Sequence, residues 1–261
     1  MVTNYEKDNS CFDKLVVCCK HFGIASVLGK SGGPDNFGYI FIDSNDDPSL
    51  KNHYPWIEIK DTGTKITSWD TGGCDDGYKT GIPLGFDFRY YGNNYNKVNI
   101  MTNGWINFAT PDTWYPSSPF PTSDSYVDPI SLFGRDIYPC CSDSGVYYET
   151  LIKNGGKIFV VEYFQVPKCC DCNNERYTVQ LQLHEGSNNI IFLYKTTHTY
   201  TPYIGIEGKN QTDGLTYMLN QNPGDGTVIL FNYPGSPRYP QSGVLPIDNI
   251  LKILKKNKDK E

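Results

Sequence analysis

The stretch from Gly81 to Phe108, GIPLGFDFRYYGNNYNKVNIMTNGWINF, constrains the fold most, because it places strand, turn, strand, turn and strand in fewer than thirty residues. Phe86 and Phe88 alternate with Asp87 and Arg89, and Asn93-Asn94 predicts a turn. Val98 and Ile100 then alternate with Asn99 and Met101, Asn103-Gly104 predicts a second turn, and Trp105 opens a third strand that closes at Phe108. Such a β-meander specifies an antiparallel sheet with one face on a core and one face wet. It contains no nucleophile, general base or set of metal ligands, so it speaks to architecture rather than chemistry.

The remaining composition agrees. A chain of 261 residues can bury the core of one large all-β domain, and 20 Tyr, 25 Gly and 17 Pro against 3 Met favour strands and turns over helices. A net charge of -6 supplies no basic field for nucleic acid or an anionic membrane, so neither partner is expected. No apolar run reaches the roughly 18 to 20 residues of a membrane span, and no membrane insertion is expected. The apolar piece Leu15 to Leu28 is broken by Lys20 and His21 and lacks a clean small-residue cleavage site, which makes it a poor signal peptide.

Three regions follow from the pattern. Residues 1–30 carry Phe12, Leu15, Val16, Cys19 and Phe22 near helical spacing and read as a short helix or linker. Residues 31–233 read as an antiparallel, jelly-roll-like β-sandwich of about a dozen short strands. Its predicted strands include Tyr39 to Ile42, Trp56 to Ile59, Ile130 to Phe133, Gly145 to Thr150 and Lys157 to Tyr163, the last two joined at Asn154-Gly155-Gly156. Arg176 to Leu183 alternates Tyr177, Val179, Leu181 and Leu183 inward against Thr178, Gln180 and Gln182 outward, and returns through Ile190 to Tyr194. Tyr203 to Ile206, Leu215 to Leu219 and Thr227 to Phe231 complete the set. Residues 234–261 decay into a tail, for which a linker is the first expectation and a helix from Ile247 the second.

Nine cysteines, at Cys11, Cys18-Cys19, Cys74, Cys140-Cys141 and Cys169-Cys170-x-Cys172, point to an oxidising compartment, and the odd count leaves one without a partner in the chain. If the strands from Gly145 and Lys157 form a hairpin, the loops outside them emerge together, which makes Cys140, Cys141, Cys169, Cys170 and Cys172 neighbours. Cys169 and Cys172 have the spacing of a zinc knuckle, but Cys140-Cys141 offers no second one. Disulfides are the first expectation, structural zinc the second and free thiols the third. Asp43, Asn45 and Asp47 match the start of a calcium loop, yet Pro48 and Tyr54 stand where Gly and Glu belong, so a solvated turn comes before calcium. No cofactor is expected, with zinc or calcium as the alternatives.

Between Pro111 and Pro129 five prolines forbid a central strand and predict a long surface loop. Its rings Trp114, Tyr115, Phe120 and Tyr126 form either an aromatic platform for a protein or glycan or a cover over a sheet edge. For catalysis, His184 sits in a predicted turn with no nucleophile partner, and nothing singles out two of Asp136, Glu162 and Glu207 as a glycosidase pair.

The ordered landmarks carry a resemblance. Gly32-Gly33-Pro34-Asp35 with Phe37-Gly38-Tyr39, Trp56-Ile57-Glu58-Ile59, Leu84 to Phe88 with Tyr91-Gly92, Asn103-Gly104-Trp105, Gly145-Val146-Tyr147-Tyr148, Phe159 to Tyr163 and Ile204-Gly205-Ile206-Glu207 follow one another across residues 31–233. This set resembles a β-sandwich accessory domain of bacterial and archaeal secreted and cell-surface proteins, often beside subtilisin-like peptidases, and also the nidogen-type extracellular domain. The resemblance implies a non-catalytic extracellular or cell-surface module for adhesion or assembly, with carbohydrate binding as the alternative and glycan hydrolysis a weaker one. Two departures stand out: Leu132-Phe133-Gly134-Arg135-Asp136 replaces a Trp-rich strand, and the cysteine pairs look like local additions.

Overall fold

The computed structural model describes residues 30–173 and 175–240. The expected N-terminal helix and most of the tail lie outside the described residues, and Pro234 to Pro240 form no helix. The first strands are β1 (Ser31–Gly32), β2 (Ile40–Asp43), β3 (Thr64–Lys65), β4 (Tyr78–Tyr90), β5 (Asn93–Met101), β6 (Trp105–Asn107) and β7 (Ile130–Gly134). They are followed by β8 (Gly145–Lys153), β9 (Gly156–Pro167), β10 (Arg176–His184), β11 (Ile190–Thr196), β12 (Tyr203–Glu207), β13 (Gly214–Met218) and β14 (Val228–Asn232). They form two antiparallel sheets, one ordered β1-β2-β14-β11-β10-β9-β8-β3 and the other β13-β12-β7-β6-β5-β4. The β-sandwich read from the alternation is therefore the fold.

The core between the sheets follows from that alternation. Phe159, Val161 and Tyr163 of β9 and Val179, Leu181 and Leu183 of β10 meet Leu84, Phe86 and Phe88 of β4 and Val98 and Ile100 of β5. Each such burial is worth about 1.5–3 kcal/mol. Two phenols cross the core to satisfy backbone on the opposite sheet: Tyr163 donates to Met101 O at 2.6 Å, and Tyr194 donates to Leu132 O at 2.6 Å. A buried hydroxyl needs such a partner, and here the partner also pins one sheet to the other.

The β8–β9 turn is where the sequence predicts it, with Asn154 and Gly155 both at positive φ (54° and 83°), the geometry that suits the twist of a tight hairpin. The β4–β5 turn is not at Asn93-Asn94, which begin β5, but at Tyr91 and Gly92, with φ of 42° and 78°. Tyr91 holds this unusual conformation because its ring packs on Phe37, Tyr39 and Tyr90 and its hydroxyl donates to Asp35 Oδ2 at 2.7 Å. Burial of the ring outweighs the turn preference of the asparagines.

The outer face of the large sheet differs more. Thr178, Gln180 and Gln182, expected to face solvent, are buried, as is His184. Gln180, Gln182 and His184 lie under a covering segment that begins with a short helix, α1 (Leu50–His53), and runs on through Trp56 to Ile59, while Thr178 accepts from Gln165 N–H at 3.1 Å. That stretch is not the predicted strand. Its backbone bonds go to side chains: Ile57 N–H donates to Gln180 Oε1 (3.2 Å), Gln180 Nε2 donates to Ile57 O (2.7 Å), and Gln182 Nε2 donates to Pro55 O (3.1 Å). Amide side chains of β10 thus do what a neighbouring strand would do, which satisfies an extended backbone without a ladder.

Candidate functional site

Antiparallel pairing of β8 with β9, Gly145 opposite Phe164, brings the loop before β8 and the loop after β9 to one end of the sandwich, as expected. There Cys141 is bonded to Cys172, with Cα atoms 5.7 Å apart, a separation natural to a disulfide. Cys140 is bonded to Cys74, also at 5.7 Å between Cα atoms, and Cys169 to Cys170. Disulfides rather than a shared zinc set therefore take up the cysteines at this end. The reading missed Cys74 as a member, because only the fold shows that the loop before β4 meets the loop before β8. Cys11, Cys18 and Cys19 lie outside the described residues.

The Cys74 loop, Gly72-Gly73-Cys74-Asp75-Asp76-Gly77, is tight for a steric reason. At Gly72, with φ of 71°, a Cβ would fall on the Asp76 carbonyl. Thr102 Oγ1 receives Gly77 N–H at 2.9 Å and donates to Asp75 O at 2.5 Å, and Asn103 Nδ2 donates to Asp76 Oδ1 at 2.8 Å, so the turn after β5 holds the segment that carries both acids. Carboxylate oxygens of Asp75, Asp76 and Asp136 gather within 4.8 Å of one another. Burial, followed by the charge of Asp76, raises the Asp75 carboxyl. Burial likewise raises Asp136, with Asp75 and Asp76 adding to it and Lys168 opposing. Asp75 Oδ1 lies 2.7 Å from Cys169 Sγ and 3.1 Å from Cys170 Sγ.

The Pro-rich loop begins at the same place. Asn103 Nδ2 also donates to Thr113 O at 3.2 Å, and Trp105 Nε1 donates to Trp114 O at 2.9 Å. Trp114 is 49% exposed and stacks on Tyr115 with ring centres 5.1 Å apart and planes 14° from parallel. The other two rings expected on a platform point inward. Tyr126 stands edge-on against Trp105 at 5.5 Å and donates to Tyr115 O at 2.7 Å. Phe120 is buried over Gly205, where a Cβ would approach its ring to 2.7 Å, so the glycine makes its socket. A ligand face made from this loop is therefore Trp114 with Tyr115, while Phe120 and Tyr126 fasten the loop to the small sheet.

Glu207 adds a further fastening, since it accepts the Thr122 N–H while its Oε2 is buried without a partner. Burial pushes its pKa up to about 7, against the Thr122 hydrogen bond that lowers it. Glu162 sits on the other sheet beneath the covering segment, accepting from Gln180 Nε2 at 3.3 Å, and burial pushes it up to about 7 as well. These two acids, each a candidate for general acid work by pKa alone, lie on different sheets under different loops and do not face one another. His184 is not the solvated turn residue expected: burial, with Lys153 nearby, lowers it to about 4, and its ring nitrogen meets Gln182 Oε1 at 3.1 Å. It borders a 420 Å³ groove with His53, Tyr54 and Tyr239 that no sequence signal announced.

The calcium-loop residues are otherwise engaged. Asp43 is buried and accepts from Asn45 N–H (2.9 Å), Asp46 N–H (3.1 Å), Lys30 N–H (3.1 Å) and the Tyr217 hydroxyl (2.7 Å). Asp47 binds Ser49 Oγ at 2.6 Å and the Tyr239 hydroxyl. Asn45 contributes its backbone to this Asx-turn, so the three residues build a turn around protein donors.

No curated protein and no solved structure matches the chain. A family model described as NIDO related matches residues 50–233, from the covering helix through the last strand of the large sheet. That family is of an extracellular type and generally non-catalytic, and with the disulfides it points to an extracellular location. The match spans most of the chain, including the cysteine cluster and the Pro-rich loop, and the chain belongs to the NIDO-related family.

Proposed function

We propose that this chain is a non-catalytic interaction module of an extracellular or cell-surface protein, acting in adhesion or assembly, and that Trp114 and Tyr115 are its contact. The observation that carries this reading is the half-exposed Trp114 ring, stacked on Tyr115 and held from behind by Trp105 and Asn103. An aromatic ring fixed before binding loses little entropy on contact, which is what a binding hot spot requires. Asn103 also ties this ring to the acidic group of Asp75, Asp76 and Asp136, so an apolar anchor stands beside negative charge. A protein partner offering an apolar side chain beside Lys or Arg suits that pair of features. The flat Trp114–Tyr115 stack also favours the second reading, a glycan lying on the ring.

The test is retention of the purified chain on immobilised extracellular-matrix or cell-surface proteins and on a polysaccharide panel. Trp114→Ala is expected to abolish retention with the thermal midpoint unchanged. Retention that survives the substitution would remove Trp114 from the contact, and loss of fold would make it a core residue.

A further inference from the structure

We propose that Asp75, Cys169 and Cys170 form a binding site for a thiophilic divalent cation, zinc or cadmium, that becomes available when the Cys169–Cys170 bond is opened. One contact at this end sets a carboxylate oxygen against two bonded sulfurs. Asp75 Oδ1 stands 2.7 Å from one sulfur and 3.1 Å from the other. A disulfide has no hydrogen to donate, and an ionised carboxylate only accepts. The contact is satisfied by a proton on Asp75 or by a cation shared among the three atoms, and the Asp76 and Asp136 carboxylates gathered around Asp75 favour positive charge there.

The ligand atoms of Asp75, Cys169 and Cys170 all lie within 4.8 Å of one another, close enough to surround a single ion. A dithiol reductant opens the pair: it delivers two electrons and two protons, the Cys169–Cys170 bond becomes two thiols, and the reductant closes to its own cyclic disulfide. A cation then displaces both thiol protons and is held by two thiolates and one carboxylate. Sulfur in the set selects zinc or cadmium over calcium or magnesium, and three protein ligands leave a fourth position open.

The site is pre-positioned by elements that do not depend on the 169–170 bond. Cys169 N–H donates to Asp136 O at 3.1 Å, Thr102 and Asn103 hold the Asp75-Asp76 turn, and Cys74–Cys140 and Cys141–Cys172 staple the flanking loops. Opening Cys169–Cys170 therefore leaves the neighbouring loops tied. This inference stands apart from the Trp114 contact, and its test does not involve a partner.

The test titrates cadmium into the full chain after mild dithiol treatment, with peptide mapping to follow which bonds have opened. Cys170→Ser serves as a companion that keeps the Cys169 thiol beside Asp75 without any reductant. The reduced chain is expected to take up one cadmium with an ultraviolet sulfur-to-metal band, Cys170→Ser to show a weaker band, and Cys169→Ser/Cys170→Ser to show none. Asp75→Asn is expected to weaken cadmium binding at least about 10-fold, with the metal-free thermal midpoint unchanged. The proposal is overturned if neither the reduced chain nor Cys170→Ser gives the band, or if the double serine variant binds as well. It is also overturned if Cys169 or Cys170 maps natively to Cys11, Cys18 or Cys19.

Discussion

Replacing Glu162 by Gln should make the protein more stable above neutral pH and change it far less in acid. Glu162 lies fully buried under the Trp56 to Ile59 segment, and its carboxylate has weak partners: Ile59 N–H at 3.5 Å, Gln180 Nε2 at 3.3 Å, and nothing at Oε1. Burial first, and the charge of Glu58 second, move its pKa from 4.5 to about 7. The folded state therefore holds a proton that the unfolded chain releases, so the stabilising contribution is complete below 4.5 and is lost as pH rises through about 7. At about 1.4 kcal/mol per unit, the shift corresponds to about 3 kcal/mol lost by the native protein between acid and mildly alkaline solution. Glutamine carries no charge to desolvate and escapes that loss. Urea unfolding of both proteins at roughly pH 4.5 and 8.5 measures it, because Glu207 and His184 titrate alike in both and cancel in the difference. A stability difference that stays the same at the two pH values, within about 0.5 kcal/mol, would refute the reasoning.

Gln180→Ala removes both bonds to Ile57 and should cost about 2–3 kcal/mol, with amide exchange at residues 55–59 accelerating before the rest of the large sheet; uniform exchange would show that the segment is held otherwise. Cys74→Ser/Cys140→Ser opens a bridge spanning 66 residues and should lower stability by about 4 kcal/mol in denaturant titration. A loss well under about 1 kcal/mol would mean that the bridge adds little constraint. His184, held down to about 4 by burial, contributes stability that is present above 6.5 and lost as pH falls through about 4. His184→Gln should flatten that acid limb, and an unchanged limb would assign it to other groups.

Most of the fold was legible because period-two alternation is a local signal. β8, β9, β10 and β11 stand where the hairpin patterns place them, and Asn154-Gly155 turns as its residues require. The misses share a cause, which is tertiary satisfaction of groups that look solvated in sequence. Gln180 and Gln182 read as a wet face because nothing local reveals that residues 55–59 will lie across them. Tyr91 takes a turn position only because Phe37, Tyr39 and Asp35, more than fifty residues earlier, receive it. At the site, hairpin geometry brought the cysteines of the two β8–β9 loops together, but Cys74, Asp75 and Asp76 joined them through a β4 approach that no spacing encodes. The division of the Pro-rich loop into an exposed Trp114 and a buried Phe120 was equally invisible, since it turns on Gly205 leaving room for a ring.

Two disulfides staple the sandwich at the end where the proposed Trp114 contact stands. Peptide mapping of unreduced full-length protein, purified without thiols, tests this most directly. The account predicts Cys74 linked to Cys140 and Cys141 linked to Cys172. Free thiols at those four positions, or different linkages among them, would contradict it.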